Sequence, residues 1–445
     1  MSVIDESFTI KASPTKELFI YMMTRDIPLI RAILDLVDNS VDGATRLQPG
    51  GDYSTFWVRI ECTEEHFAIS DNCGGIPIST ARDYAFRFGR PKDMELTPGS
   101  IGKFGVGMKR SFFKLGNKFT VKSTTSTSKF VVEHYVREWL EKPEDWHFKF
   151  KVKNESLKNV PEQKIGTQIL IEELFESVSK SFGLGNFRKE LCDEIETAHA
   201  VVMAKGLAIS FNGRPLGKRT LSLYKSDQLK PAFIEKRYEN IGPAVVKVQI
   251  YAGISDRDFE KGGWYIFCNG RMVLEADQTD ITTWGGSNTT PKYHPDFAFF
   301  RGYVFFDSED AELLPWTTTK TGIDSDSGLY KNVKLEMITL MRPVLDFLRK
   351  LAKERADVEK GDIDKSLLEE SVKKAESTNY LDLKDKGAFI TPKFDPIPRG
   401  PRTGRIQYNK PVDDIKKLKK ILGVTTYTAV GEKTFDYFMR MECEE

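Results

Sequence analysis

Between Thr15 and Ala44 apolar positions recur at helical spacing, and Asp26 with Pro28 marks a break or a fresh helix start inside that stretch. In AILDLVDNSVDGA, residues 32–44, Ile33, Leu34, Val37 and Val41 form the stripe that packs inward. Asp35, Asp38, Asn39 and Asp42 fall together on another face. Carboxylates so close repel one another, so the acidic face calls for a purpose. FWVRIEC (56–62) and HFAIS (66–70) read as a β-hairpin. The Gly-rich, Pro-containing stretch 73–107 is longer than an ordinary loop; segments of that size are functional lids or disordered. KFTVKST, FVVEHYV and GTQILIEEL return to strand patterning.

From about residue 176 the character changes. FRKELCDEIETAHAVVMAKG reads as helix, and LAISFNGRPL, VVKVQIYAGI, GWYIFCNGRMVL and YVFFDS read as strands punctuated by NG turns, which predicts a second α+β domain. A long helical pattern covers 328–360, followed by charged helical text to about 376, the Pro-rich TPKFDPIPRGPRTG and a tail with one amphipathic helix, VDDIKKLKKIL. The expected organisation is three parts: 1–175 with an N-terminal arm and a lid at 77–107, 176–350, and 351–445. No internal repeat is visible.

Composition narrows the class without choosing a function. A chain of 445 residues, 40% hydrophobic and 29% charged, can bury real cores. Its formal net charge of +1 gives no global pull toward nucleic acid or membrane, so any such attraction must be local. The five cysteines are widely spaced, with no CxxC and no histidine at metal-ligand spacing, which argues against a disulfide framework and a zinc finger. No apolar run approaches 18 residues, and MSVIDESFTIK lacks a signal peptide's apolar core, so no membrane partner and a cytoplasmic location are expected.

Three signals carry chemistry. The acidic helix is the first. In ISDNCGGIP (69–77) an apolar strand ends in Asp71 and turns on Gly74 and Gly75. In GSIGKFGVGMKRSFFKLG (99–116), Gly102, Gly105 and Gly107 precede a helical pattern, and glycines there leave N-terminal backbone N–H groups open to an anion. The pattern points to a phosphate site, although no Walker A loop is present.

Taken in order with GTQILI at 166–171, these motifs resemble the GHKL nucleotide-binding superfamily of gyrase-type topoisomerases, ninety-kilodalton heat-shock chaperones, histidine kinases and MutL-type proteins. FRFGRPKDMELTPGSIGKFGVGMKRSFFKLG looks most like the lid of microrchidia (MORC) ATPases and their bacterial relatives. The resemblance implies an α+β chain: a Bergerat-type sandwich that binds ATP and Mg2+, a transducer-like second domain and a short basic helical tail. Carried over residue by residue, Asp35 takes the place of the general base and Asn39 that of the magnesium ligand. Asp71 would accept the adenine amino group, beside Gly75 and Ile76, with the Thr167 hydroxyl supporting its carboxylate. Gly102, Gly105, Val106 and Gly107 match the phosphate-contacting lid turn, with Lys109 a further possible phosphate contact. LPWTTTKTGID resembles the transducer loop and makes Lys320 the γ-phosphate lysine. Asp38 and Asp42 read as supporting groups, and the histidines as structural or surface. Two departures stand out. Cys73 replaces a glycine of the family's DxGxG, and Asp35 is one methylene shorter than the usual glutamate, so slow hydrolysis is expected.

No histidine precedes Asp35, which sets aside a sensor kinase, and the sequence has no room for chaperone dimerisation or topoisomerase cleavage domains. The expectation is an ATPase that dimerises on ATP, with residues 1–25 crossing to the partner, and acts as a clamp on DNA or a DNA-processing partner. From Lys393 to Lys420 nine basic residues face three acidic ones, which fits phosphate contacts. The same stretch also reads as a solvated linker with a protein-docking helix, its stripe Val412, Ile415, Leu418 and Leu422. The alternative function is a catalytically weak, ATP-gated module controlling a separately encoded effector, for example in bacterial phage defence.

Overall fold

The computed structural model describes residues 14–89, 99–102, 105–285, 290–393, 404 and 406–443. Residues 1–13 of the expected arm, 90–98 and 103–104 of the lid, and 394–403 and 405 of the basic linker lie outside the described residues. The chain forms two compact units, Met1–Ala352 with Leu367–Lys393 and Lys353–Ser366 with Phe394–Glu445.

The first unit opens with helices α1 (Lys16–Thr24) and α2 (Leu29–Leu47), broken where the sequence places the break, with Pro28 capping α2. Helix α1 docks on its own chain: the Lys16 ammonium is buried and donates to the carbonyls of Trp139, Lys142 and Asp145 at 2.6, 2.7 and 2.7 Å. Helix α2 is not the one-sided helix its pattern predicts. Asp35, Asp38 and Ser40 are buried along with the apolar stripe, and between Ala32 and Val41 only Asn39 is exposed.

Strands β1 (Trp57–Cys62) and β2 (Phe67–Asp71) make the expected hairpin. After the short α3 (Ile78–Thr80) comes α4 (Gly107–Leu115). The Ser111 hydroxyl of α4 donates to Ala32 O of α2 at 2.6 Å, which fixes the two helices side by side. Strands β3 (Gly116–Thr124), β4 (Lys129–Tyr135) and β6 (Gly166–Leu174) match the strand text read from sequence, and β5 (Phe150–Asn154) is a further strand that the patterning did not mark. The described residues order this sheet β5-β4-β3-β6-β2-β1-β7-β8, with β7 Ala208–Phe211 and β8 Arg214–Pro215. LAISFNGRPL, expected in the second domain, therefore belongs to the first sheet, with β7 parallel to β1. A parallel neighbour is reached only by a long crossover, here through helices Gly185–Ala198 and Ala200–Ala204, and local patterning carries no trace of it.

A second sheet follows in the same unit. Beyond β9 (Ser222–Lys225), strands β10 (Ala232–Tyr238), β11 (Val246–Ile254), β12 (Gly263–Cys268), β13 (Arg271–Asp277) and β14 (Phe300–Ser308) pair in the order β10-β11-β14-β12-β13. Asn269 and Gly270, with φ of 47° and 76°, make the NG turn between β12 and β13. The helix Gly328–Glu359 buries Val333, Met337, Met341, Val344 and Leu348. The charged text before 376 is the helix Leu367–Lys374, after which β15 (Glu376–Asn379) pairs with β9.

In the second unit the expected helix is Val412–Leu422, and a further one, Tyr427–Glu442, follows it. Val412, Ile421, Phe435, Tyr437 and Phe438 are exposed there, as are Lys416, Lys417 and Lys420. Among the described residues no helix is long and apolar enough to cross a membrane.

Candidate functional site

Every residue singled out for the site, from Asp35 to Lys320, lines one cavity between α2, the β2 and β6 strand ends, α4 and the loop after β14. At one end Asp35 meets two cations from distant segments. Arg110 of α4 donates to its Oδ2, and Lys320 Nζ lies 3.3 Å from its Oδ1. Gly107 eases this approach, because a Cβ there would sit 3.2 Å from Asp35 Cγ, close enough that one of the two would have to shift slightly.

Lys320 stands at the tip of a tight hairpin whose stem pairs Trp316 with Ile323. Its own N–H donates to Thr317 O at 2.9 Å and its φ is 56°, a left-handed backbone that costs a non-glycine residue roughly 1–2 kcal/mol. The ammonium also reaches Asp38 Oδ2 at 2.7 Å. Burial by itself would lower its pKa, but Asp38 and Asp35 raise it, so Lys320 is held charged.

Asp38 is the hub of this end. On its Oδ1, His199 Nε2 lies at 3.0 Å and Arg271 Nε at 3.1 Å, the latter without the alignment of a hydrogen bond. Burial alone would push this carboxyl up, yet Lys320 and Arg271 hold it well below the usual range. His199 is itself fully buried, and burial pulls its pKa down against the opposing pull of Asp38. One carboxylate thus joins α2, the first crossover, the second sheet and the loop after β14.

At the other end Asp71 closes β2. The Ser40 hydroxyl donates to Oδ2 at 2.7 Å, and the N–H groups of Cys73 and Thr167 donate to Oδ1 at 2.9 and 3.3 Å. The hydroxyl expected of Thr167 is therefore supplied by Ser40. The Thr167 hydroxyl instead faces Ser123 Oγ at 3.1 Å, because the strand register sets Thr167 opposite Asp71 with its backbone turned to the carboxylate. Ser123 in turn accepts from Ile76 N–H at 2.7 Å. A carboxylate has about four acceptor positions, so three donors leave room for one more from a ligand. Burial raises the pKa of Asp71.

The DNCGG departure is absorbed within the fold. Gly74 and Gly75 take positive φ of 87° and 70°, and Cys73 faces Gly43 of α2, where a Cβ would lie 2.6 Å from Cys73 O.

Asp42 and Lys109 hold the glycine segment. Asp42 accepts from the N–H groups of Ile101 and Gly102 at 2.5 and 2.9 Å, and burial pushes its carboxyl up to about 6. The Lys109 ammonium, buried and lowered to about 7 by that burial, donates to the carbonyls of Ala85 and Gly105. Lys109 is therefore not a surface group, and two of its three protons join the two stems of the lid.

Arg110, Arg271, His199 and Ser40 escaped sequence reading. Arg110 adjoins Lys109 in GMKRS, where the glycine motif could have pointed to it. Arg271 and His199 carry no local signal, because their partner lies far away along the chain.

A half-buried carboxylate at a strand end, a Gly-rich segment leading into a helix and an acidic helix wall, all around one cavity beside a mixed sheet, define a nucleotide-binding α+β site. Residues 27–167 match the family model of histidine kinase-, DNA gyrase B-, and HSP90-like ATPases, so this part of the chain is a GHKL-type ATPase domain. No curated protein matches the chain.

The residues suit a magnesium ion of the kind such domains use. Asn39 presents its side chain on the cavity wall. The described residues offer no cluster of three or more His, Cys, Asp or Glu for a metal.

Proposed function

We propose that this protein binds ATP with Mg2+ and hydrolyses it slowly, using the nucleotide to close the lid and drive dimerisation as a clamp or switch. The observation that carries this reading is the convergence of Asp35, Asn39, Asp71, the glycine segment and Lys320 on a single cavity. Asp71 takes the adenine amino group in its remaining acceptor position. Asn39 holds the magnesium ion, which when bound neutralises phosphate charge. Backbone N–H groups around Gly105, Val106 and Gly107 face the phosphates at the start of α4, where the helix dipole favours an anion. Lys320 turns from Asp35 and Asp38 toward the γ-phosphate, and Asp35, relieved of that cation, accepts the proton of the attacking water. A placed general base contributes on the order of 10² to 10⁴ in rate.

Because Lys320 also touches Asp38, which faces Arg271 of β13, γ-phosphate binding has a route to the second sheet. Differential contact with the γ-phosphate is the requirement for a nucleotide switch. DNA as the clamped partner is supported by the exposed lysines of Val412–Leu422. The second reading, a gated module for a separate effector, is favoured by one observation: both oxygens of Asp35 are engaged by cations, which makes it a poor base until they leave.

Phosphate release by wild type and Asp35→Ala, each with and without DNA, separates the two. DNA-stimulated release that the variant loses supports the clamp ATPase. Magnesium-dependent ATP binding with no release supports the gated module, and absence of nucleotide binding overturns both.

A further inference from the structure

Asp35 holds two cations in the same way, yet only one of them has an assigned purpose. Arg110 sits one turn into α4, lines the cavity and donates to Asp35 Oδ2, while Lys320 approaches Oδ1 from the far side. The guanidinium is not satisfied there. Its Nε is buried with no hydrogen-bond partner, so one donor of the rigid fork is idle in this state. A single carboxylate, already shared with Lys320, cannot use five donors. A terminal phosphate has three oxygens and more charge, and it is the planar fork's natural ligand.

We infer that Arg110 is a phosphate-binding residue, a second cation for the terminal phosphate of a nucleoside triphosphate, parked on Asp35 until the nucleotide enters. Asp35 in this arrangement is a stand-in anion as well as a base: it keeps Arg110 and Lys320 aimed at the place the phosphate will occupy. Its short side chain serves that purpose, since it lies against the start of α4, where Gly107 leaves no Cβ in the way. The consequence is selectivity for triphosphate over diphosphate, because only the former reaches both cations. This rests on the ATP reading above.

Calorimetric titration of the full chain in Mg2+ with a non-hydrolysable ATP analogue and with ADP tests it. The proteins are wild type, Arg110→Met, Asp35→Asn and the double variant. Arg110→Met should weaken the analogue on the order of 10- to 100-fold, as for a lost charged hydrogen bond, and leave ADP nearly unchanged. Part of that loss should persist in the Asp35→Asn background, where no carboxylate holds Arg110 in place. Equal loss for both nucleotides, no loss, or a loss that disappears in the Asp35→Asn background would overturn the inference and leave the ATP reading standing. A wild type that binds neither nucleotide would overturn both. If Arg110→Met does not fold, Arg110→Lys, which keeps the charge without the fork, carries the same comparison with a smaller loss of the analogue.

Discussion

At the end of the cavity around Asp35 and Asp38, charged side chains from α2, α4, β13 and the Lys320 hairpin meet, with His199 of the first crossover beside them. At the Asp71 end the carboxylate is held by a hydroxyl and two backbone N–H groups, and the strand pairing of β2 with β6 fixes their register. The first arrangement can change partners, because a carboxylate shared by several cations can give one up to a stronger anion. The second cannot, since moving it would break a sheet. A site that must keep one part of a ligand fixed and report on another gains from having both.

The largest test of that contrast is Asp38→Ala. Removing the hub leaves Arg271 buried without its carboxylate and Lys320 with Asp35 in place of two carboxylates, a change of roughly 3–5 kcal/mol in buried pairs. The midpoint of urea unfolding should fall accordingly; a change under about 1 kcal/mol would show that the charged end does not join the elements it touches. Ser40→Ala is the matching change at the neutral end. It removes one of three donors to Asp71 and should cost about 1–3 kcal/mol, with adenine nucleotide affinity weakened rather than abolished. Should Ser40→Ala prove as damaging as Asp38→Ala, the contrast fails.

The smallest effect is in pH. Asp42 has a folded-state pKa of about 6 against an ordinary 3.8, so the folded form binds more protons between those values and its stability falls as pH rises through them. Asp42→Asn lacks this penalty. Between pH 5 and 7 wild type should therefore lose about 1 kcal/mol relative to the variant, read from paired unfolding midpoints at the two pH values. A difference that stays constant with pH would place Asp42 outside this accounting.

Much of the first unit was legible along the chain. The β1–β2 hairpin, the break at Pro28, the helix after Gly107 and the NG turn at Asn269 all follow from local spacing and turn chemistry. The failures were non-local. β7 was assigned to the wrong sheet because its partner β1 lies across a helical crossover, and β15 was missed because four residues of polar text pair only with β9. Thr167 was given a hydroxyl role that register hands to Ser40. Lys109 read equally as a phosphate contact or a surface group, and its burial against Ala85 and Gly105 in the lid stems removes the surface reading.

Residue types and spacing by themselves determined the carboxylate helix, the Asp-terminated strand and the glycine-led helix, because these features depend on periods of two and 3.6 that any short stretch displays, while their membership of one nucleotide site was implied by the resemblance of their order to the GHKL superfamily. Only the tertiary structure decided which charge each carboxylate meets. Asp35, Asp38 and Asp42 share one helix and one residue type, yet one holds cations from α4 and the Lys320 hairpin, one is a buried hub and one caps backbone N–H groups. Pairing energies and pKa values are set by neighbours within a few ångströms, and those neighbours come from segments far apart along the chain.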